Sequence, residues 1–306
     1  MTINFDPDRD IPSLDGKVVL ITGGNNGIGR QTALAIAKHS PAEIWIAARD
    51  AAKADAVIED IRHQVPAVAV HFLPVDLASF AAIKSAAKIF LASASRLDIL
   101  YLNAGIMAVP AGVTADEYEV QFGTNHMGHA LLLKLLTPLL LATAAIPQSI
   151  PDSVRVVITT SATHRFTVSG GIDFDLLKST AESVFTVYRY GQSKLANILY
   201  AREMARRHPQ ITTVSVHPGV VMTDLQKSPD APLILRLYQL VALPFIGLSP
   251  EDGAKSQLWA GTAAGVENGE YYTPVGVIGR GSAMSADEDL GRRLWEWTEK
   301  ELEGHM

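Results

Sequence analysis

Short apolar runs rich in β-branched residues alternate along this chain with longer stretches of helical spacing, and that alternation leaves few folds open. The runs KVVLIT, EIWIA, VAVHF, DILYLN, VRVVITT and ITTVSVH read as strands buried on both faces of a parallel sheet. Helical spacing fills Ile28 to His39, Ala51 to Gln64, Ser79 to Ser95, Ala115 to Ala145 and Tyr190 to Arg207. The β-α-β-α pattern predicts a doubly wound α/β fold, with helices on both faces of the sheet. A seventh short strand, EYYTPV, follows a helix near Glu251 to Ala264, and a last helix, roughly Ala286 to Leu302, carries Trp295 and Trp297. There is no repeat, low-complexity tract or interdomain linker, so a single domain from residue 14 onward is expected behind an N-terminal arm, residues 1–13. The longest irregular stretches, Arg165 to Val187 and Leu225 to Leu248, read as loops over a ligand site.

Composition narrows the partners. With 306 residues and 48% apolar content the chain can bury a large core. Its net charge is −6 and its 26 lysines and arginines form no basic block, which argues against nucleic acid. The absence of cysteine removes disulfides, thiolate metal sites and a thiol nucleophile, and is compatible with a reducing cytosol. The start, MTINFDPDRDIPSLDGK, carries four aspartates before any apolar run. It reads as neither signal peptide nor membrane anchor, and a soluble cytoplasmic protein is expected.

The first strand runs directly into TGGNNGIGR, Thr22 to Arg30, and then into a helix. That context suits a pyrophosphate. Gly23 allows the tight turn, Gly27 lets backbone approach the phosphates, and Gly29 permits close helix packing, while the helix N-terminus offers unpaired N–H groups and a positive dipole end. The second strand ends in IAARD. Where an acid would hold the adenosine ribose of NAD stands Ala48, followed by Arg49. A guanidinium beside the 2′-phosphate of NADP would contribute roughly 1.5–3 kcal/mol, about tenfold to 150-fold over NAD. Pairing of Arg49 with Asp50 or a helix carboxylate is the competing reading. Asp76, in PVDL at the end of the third strand, can accept from an adenine amino group or cap the helix that begins near Ser79.

Farther on, the stretch YRYGQSK, Tyr188 to Lys194, presents two phenols before one lysine. On a helix, residues four apart share a face, so Tyr190 neighbours Lys194, whereas Tyr188 lies about 240° around from it. Tyr190 is therefore the candidate acid–base. A phenol with an ordinary pKa near 10 is a poor acid–base at neutral pH, and a nearby ammonium favours phenolate.

The motifs TGGNNGIG, NAG at Asn103 to Gly105, ITTSATH at Ile158 to His164, YGQSK and HPGVVMTDL at His217 to Leu225 stand in the order of the short-chain dehydrogenase/reductase family, which this chain resembles over about residues 14 to 280. The tail NGEYYTPVG…LWEWTEKEL looks most like fungal members related to the retinol dehydrogenase-like branch. The resemblance implies a seven-stranded Rossmann fold and a hydride transfer between NADP(H), preferred over NAD(H), and a carbonyl or alcohol substrate. It implies Tyr190 as general acid, Lys194 lowering its pKa and holding the nicotinamide ribose, Ser161 on the substrate oxygen and Asn125 holding a relay water near the lysine. It carries cofactor contacts onto Gly23, Asn25, Gly27, Ile28 and Gly29, onto Arg49, Asp76 and Leu77, onto Asn103, Ala104 and Gly105, and onto Tyr190 and Lys194. Pro218, Gly219, Val221 and Thr223 complete that set, Thr223 reaching the carboxamide. One departure is Thr160, where the family's pair has a second serine. A homodimer or homotetramer also fits the resemblance.

Other features read more plainly. His126 and His129, three apart, lack a third ligand at matching spacing, so satisfied helix histidines are expected rather than a metal site. GQSKL lacks the second glycine of a hydrolase elbow, which leaves Ser193 no nucleophile. The leucines from Leu131 to Leu141 belong to a helix core or a subunit interface. In the lid, Leu225 to Leu248, Leu233, Leu235, Leu237, Leu240, Leu243 and Phe245 would line an apolar substrate pocket or cover core, and the interrupting Pro232, Arg236 and Pro244 exclude a membrane span. The alternative to an enzyme is a dinucleotide-sensing regulator, which needs the glycine turn and not the acid. A third reading is lipid-surface binding through the apolar stretch after Leu225.

Overall fold

In the computed structural model, residues 3–146, 154–222, 247–279 and 281–305 are described. Seven parallel strands, β1 Val18–Thr22, β2 Glu43–Ala48, β3 Ala69–Pro74, β4 Ile99–Leu102, β5 Arg155–Thr159, β6 Thr212–Val216 and β7 Tyr271–Tyr272, form one sheet in the order β3-β2-β1-β4-β5-β6-β7. The order reverses between β1 and β4, which opens a crevice at the C-terminal strand ends there. β1, β4, β5 and β6 are buried along their whole length. Successive residues serve opposite faces: Leu20, Leu100 and Val156 join one core with Phe90, Leu136, Leu199 and Leu294, while Val19, Ile21 and Val157 join another with Ile36, Ile61 and Trp259.

The longer helices are α1 Gly27–Ala37, α2 Ala51–Gln64, α3 Phe80–Ser93, α4 Gly128–Ala144, α5 Thr186–Arg207, α6 Pro250–Thr262 and α7 Glu288–Glu301. Side-chain caps start several of them: Asn26 on α1, Asp50 on α2, Ser79 on α3, Ser249 on α6 and Asp287 on α7. The N-terminal arm packs on the domain, with Phe5 and Ile11 buried in the second core.

Three elements differ from their sequence reading. Ala115 to Ala145 is not one helix. Residues 114–118 make a turn in which the Thr114 hydroxyl accepts from Tyr118 N, with Glu117 at φ 66°. Only then do a short helical turn, Val120–Phe122, a π-turn, Gly123–Met127, and α4 follow. The run Val120–Ala144 is long and apolar enough to cross a bilayer, and more than half of it is buried within this fold. α5 starts at Thr186, a turn before Tyr190, because the Phe185 carbonyl accepts from Tyr188 N and Arg189 N. The last strand is two residues long, with Pro274, which has no N–H to donate, standing two residues beyond it.

Candidate active site

Tyr190, Lys194, Ser161 and Asn125 come together beyond the C-terminal ends of β4 and β5. α5 carries Tyr190 and Lys194 on one face, and the ammonium lies 5.6 Å from the Tyr190 ring centroid. Tyr190 is 4% exposed, whereas Tyr188 is 42% exposed and stacks edge-on against Phe185. Tyr190 also interacts with the Ser161 hydroxyl. Ser161 follows β5 and caps a short 3-10 turn, its oxygen accepting from Thr163 N at 3.1 Å and bonded to the Thr163 hydroxyl at 3.0 Å.

Burial pushes the Tyr190 phenol above its ordinary value, with the Ser161 hydrogen bond acting the other way. The same burial lowers Lys194 to about 8. Its Nζ donates to the Thr159 carbonyl at 3.1 Å. Among the described residues this leaves two of its three N–H donors for a bound group, a fit for hydroxyls that would hold the ammonium in its charged state.

Asn125 is fully buried in the π-turn. Its Oδ1 accepts from Ile106 N at 2.8 Å, and its Nδ2 donates to Ile106 O at 2.9 Å and to Ser193 Oγ at 3.0 Å. Ser193 in turn donates to the Tyr190 carbonyl. The side chain of Asn125 thus braces the loop after β4 against α5. Sequence reading set Ser193 aside as a failed nucleophile and missed that bridge. It also missed Thr160, whose hydroxyl donates to the Lys194 carbonyl at 2.7 Å and ties β5 to α5.

At the phosphate end, Gly23 and Gly27 take φ of 68° and 52°, where a side chain is strained. A Cβ on Gly29 would overlap the Gly23 carbonyl oxygen, so this glycine serves the turn itself as well as helix packing. Asn25 and Ile28 are half-buried beside them. The hydroxyl of Thr22, another residue the sequence reading passed over, accepts from Asn103 N and Ala104 N, and Asn103 Nδ2 donates to Thr22 O. A Cβ on Gly105 would stand 3.0 Å from Asn125 Oδ1 and 3.5 Å from Lys194 Nζ. Bare backbone at Gly105, the glycine turn and the under-used Lys194 together fit a dinucleotide laid across the crevice.

Arg49 is exposed at the end of β2 and makes no ion pair among the described residues. Asp50, its expected competitor, caps α2 by accepting from Lys53 N. Asp76 is half-buried and accepts from Ala78 N, while Ser79, not Asp76, caps α3. Leu77 is buried, and its carbonyl packs where a Cβ on Gly128 would stand. After β6, Pro218 and Gly219 turn the chain, Gly219 at φ 91°, and Val221 bridges to Leu248. Thr223 and the lid residues up to Ile246 lie outside the described residues.

His126 and His129 are both buried, and burial lowers them to about 3 and about 4. Neither belongs to a cluster of metal-ligating side chains among the described residues. Leu131, Leu132, Leu133, Leu136 and Leu140 are core, and Leu135, Leu139 and Leu141 pack against it partly buried.

Comparison with known proteins bears on this geometry. The family model described as short chain dehydrogenase matches residues 17–168. A short-chain dehydrogenase/reductase, drtF, of Aspergillus calidoustus is 37% identical, with 95% of each chain covered. Retinol dehydrogenase 14 of Homo sapiens is 34% identical, with 94% of this chain and 86% of the relative covered. A crystal structure of a Mycobacterium paratuberculosis protein superposes with a TM-score of 0.74 at 27% identity, covering 96% of both chains.

Proposed function

The chain belongs to the short-chain dehydrogenase/reductase family, and from that membership we propose that it is an NADP(H)-dependent oxidoreductase acting on a carbonyl or secondary alcohol of a lipophilic small molecule. The observation that carries the reading is the buried Tyr190 and Lys194 pair beside Ser161 at the crevice where the strand order reverses.

The bound nicotinamide supplies or accepts the hydride. Tyr190 gives the substrate oxygen its proton in reduction and takes it back in oxidation. Ser161, its hydroxyl steadied by Thr163, donates to the same oxygen. Lys194 binds the ribose hydroxyls and, once they satisfy its free donors, stays charged and favours phenolate. Asn125 keeps the loop after β4 and α5 at a fixed separation, so the roles of Tyr190 and Lys194 depend on it. A dinucleotide sensor would have no use for this arrangement, which makes it the weaker reading.

Preference for NADP(H) rests on Arg49, exposed and without an ion pair among the described residues, and on the apolar Ala48 where an acid would otherwise stand. Preference for lipophilic substrates rests on Phe166, Phe185 and Tyr188, exposed on or against the start of the helix that carries Tyr190, and on Met222 and Leu248, exposed where the segment after Gly219 pairs with the chain before α6. Each additional 100 Å² of apolar contact contributes up to about 2.5 kcal/mol, less the ordering of the loops. The test is a panel of ketones, aldehydes and quinones with NADPH, and of alcohols with NADP⁺. Bulky aromatic or aliphatic carbonyls should give the higher kcat/KM, and a panel won by sugars or 2-oxo acids contradicts the substrate assignment.

A further inference from the structure

His129 lies one turn beyond Asn125 and touches neither the crevice nor solvent. Its Nδ1 is 3.0 Å from the Asn125 carbonyl oxygen and its Nε2 is 2.9 Å from the Thr22 hydroxyl. A carbonyl only accepts, so Nδ1 carries the proton. Burial and the neighbouring Lys194 charge both disfavour a second proton, which leaves Nε2 as an acceptor for the Thr22 O–H. That hydroxyl already accepts from Asn103 N and Ala104 N, and its own proton also has the Tyr101 carbonyl in reach at 3.2 Å, farther than Nε2 at 2.9 Å. One chain of hydrogen bonds therefore runs from the start of the loop after β4, through Thr22 at the mouth of the glycine turn and the imidazole, to the π-turn that carries Asn125.

We propose that His129 is a positioning residue that anchors two places at once, Nε2 steadying the cofactor-binding turn through Thr22 and Nδ1 steadying the π-turn that carries the Asn125 brace of the proton-transfer site. The inference rests on the oxidoreductase reading for its kinetic consequence, although the double anchorage itself is a property of the fold. The imidazole suits the task because its two nitrogens hold opposite roles about 2.2 Å apart across a rigid ring. The wider π-turn needs such an external tie, since its Gly128 N–H reaches back to Gly123 O instead of making the tighter α-helical bond. A leucine of similar size would fill the space, take the imidazole's bond from the Asn125 carbonyl and leave the Thr22 hydroxyl proton only the longer bond to the Tyr101 carbonyl at 3.2 Å.

Two polar substitutions divide the ring's work. In His129→Asn the amide nitrogen falls near the place of Nδ1 and keeps the bond to the Asn125 carbonyl, while the reach to Thr22 is lost. In His129→Gln the terminal amide falls near the place of Nε2, and the bond to Asn125 is lost. Losing one interior hydrogen bond corresponds to about tenfold in the property it supports. His129→Gln should therefore lower kcat about tenfold and speed amide exchange over residues 123–129, with NADPH affinity within about threefold of the parent. His129→Asn should show the converse, with NADPH affinity about tenfold weaker and kcat and exchange held within about threefold. If the parent turns over no carbonyl while the exchange and affinity effects divide as stated, the oxidoreductase reading fails and the double anchorage stands. If the two variants change the same properties, or only the melting temperature, the inference is overturned. The parent provides an independent check that does not depend on a variant folding: imidazole 15N shifts should report Nδ1 protonated and Nε2 bare between about pH 5 and 8, and the opposite tautomer overturns the assignment.

Discussion

Replacing Arg189 by methionine tests how the site is held together. Arg189 precedes Tyr190 on α5, and its guanidinium donates to Glu119 at 3.0 Å and to the Val109 and Val184 carbonyls at 3.3 and 3.2 Å. Glu119 accepts from Phe122 N and so starts the turn that leads to Asn125. Both charges are buried, at 5% and 3% side-chain exposure. Removing one partner of such a pair leaves the other uncompensated, at about 3–5 kcal/mol. For a chain of this length that lowers Tm by about 5–8 °C. Burial already raises the Glu119 carboxyl above its ordinary range, against the pull of the Phe122 amide and Arg189. Without the arginine it rises further. A carboxyl with a raised folded pKa binds more protons folded than unfolded, so the variant loses stability as pH climbs from the ordinary carboxylate range through the raised value, and recovers it on acidification. Urea denaturation at pH 5 and pH 8 should show the gap to the parent widening at the higher pH, and the double variant with Glu119→Gln should recover most of the loss. A penalty below about 1 kcal/mol, or one that does not change with pH, would refute the reasoning.

Two further outcomes follow from single side chains. Arg49→Asp should weaken or reverse the preference for NADPH, seen as a ratio of kcat/KM for the two cofactors; equal efficiency with both in the parent removes the basis for it. Lys194, lowered to about 8 from 10.5 by burial, binds fewer protons folded than unfolded, so the cofactor-free protein should gain stability as pH rises through that interval. Lys194→Met should abolish that gain, and pH-scanned melts of parent and variant that run parallel would contradict it.

The sheet was legible in the sequence because β1, β4 and β5 are buried on both faces and carry no polar residue in their centres, while β6, with Thr212, Thr213 and Ser215, still follows the β-branched pattern. The phase of Tyr190 against Tyr188 was legible because it depends only on helix geometry and the spacing to Lys194. What the sequence hid lies in contacts between residues far apart in the chain. Ser193 bonded to Asn125, Thr160 to the Lys194 carbonyl, and Thr22 to Asn103 and His129 have no local signature. The π-turn was invisible for a related reason, since apolar periodicity continues across it while Glu119 and Thr114 redirect the backbone before it. The raised phenol of Tyr190 could not be read either, because it follows from burial, which spacing to a lysine does not report.

The proposed activity turns on one proton, and one pair of variants tests it most directly. Tyr190→Phe removes the hydroxyl and keeps the ring, so kcat on any accepted carbonyl should fall by at least about a hundredfold, while NADPH fluorescence titration still reports binding close to that of the parent. Tyr188→Phe, exposed and on another face of α5, should keep most of the activity. Retained turnover in Tyr190→Phe, or loss in Tyr188→Phe alone, would contradict the account.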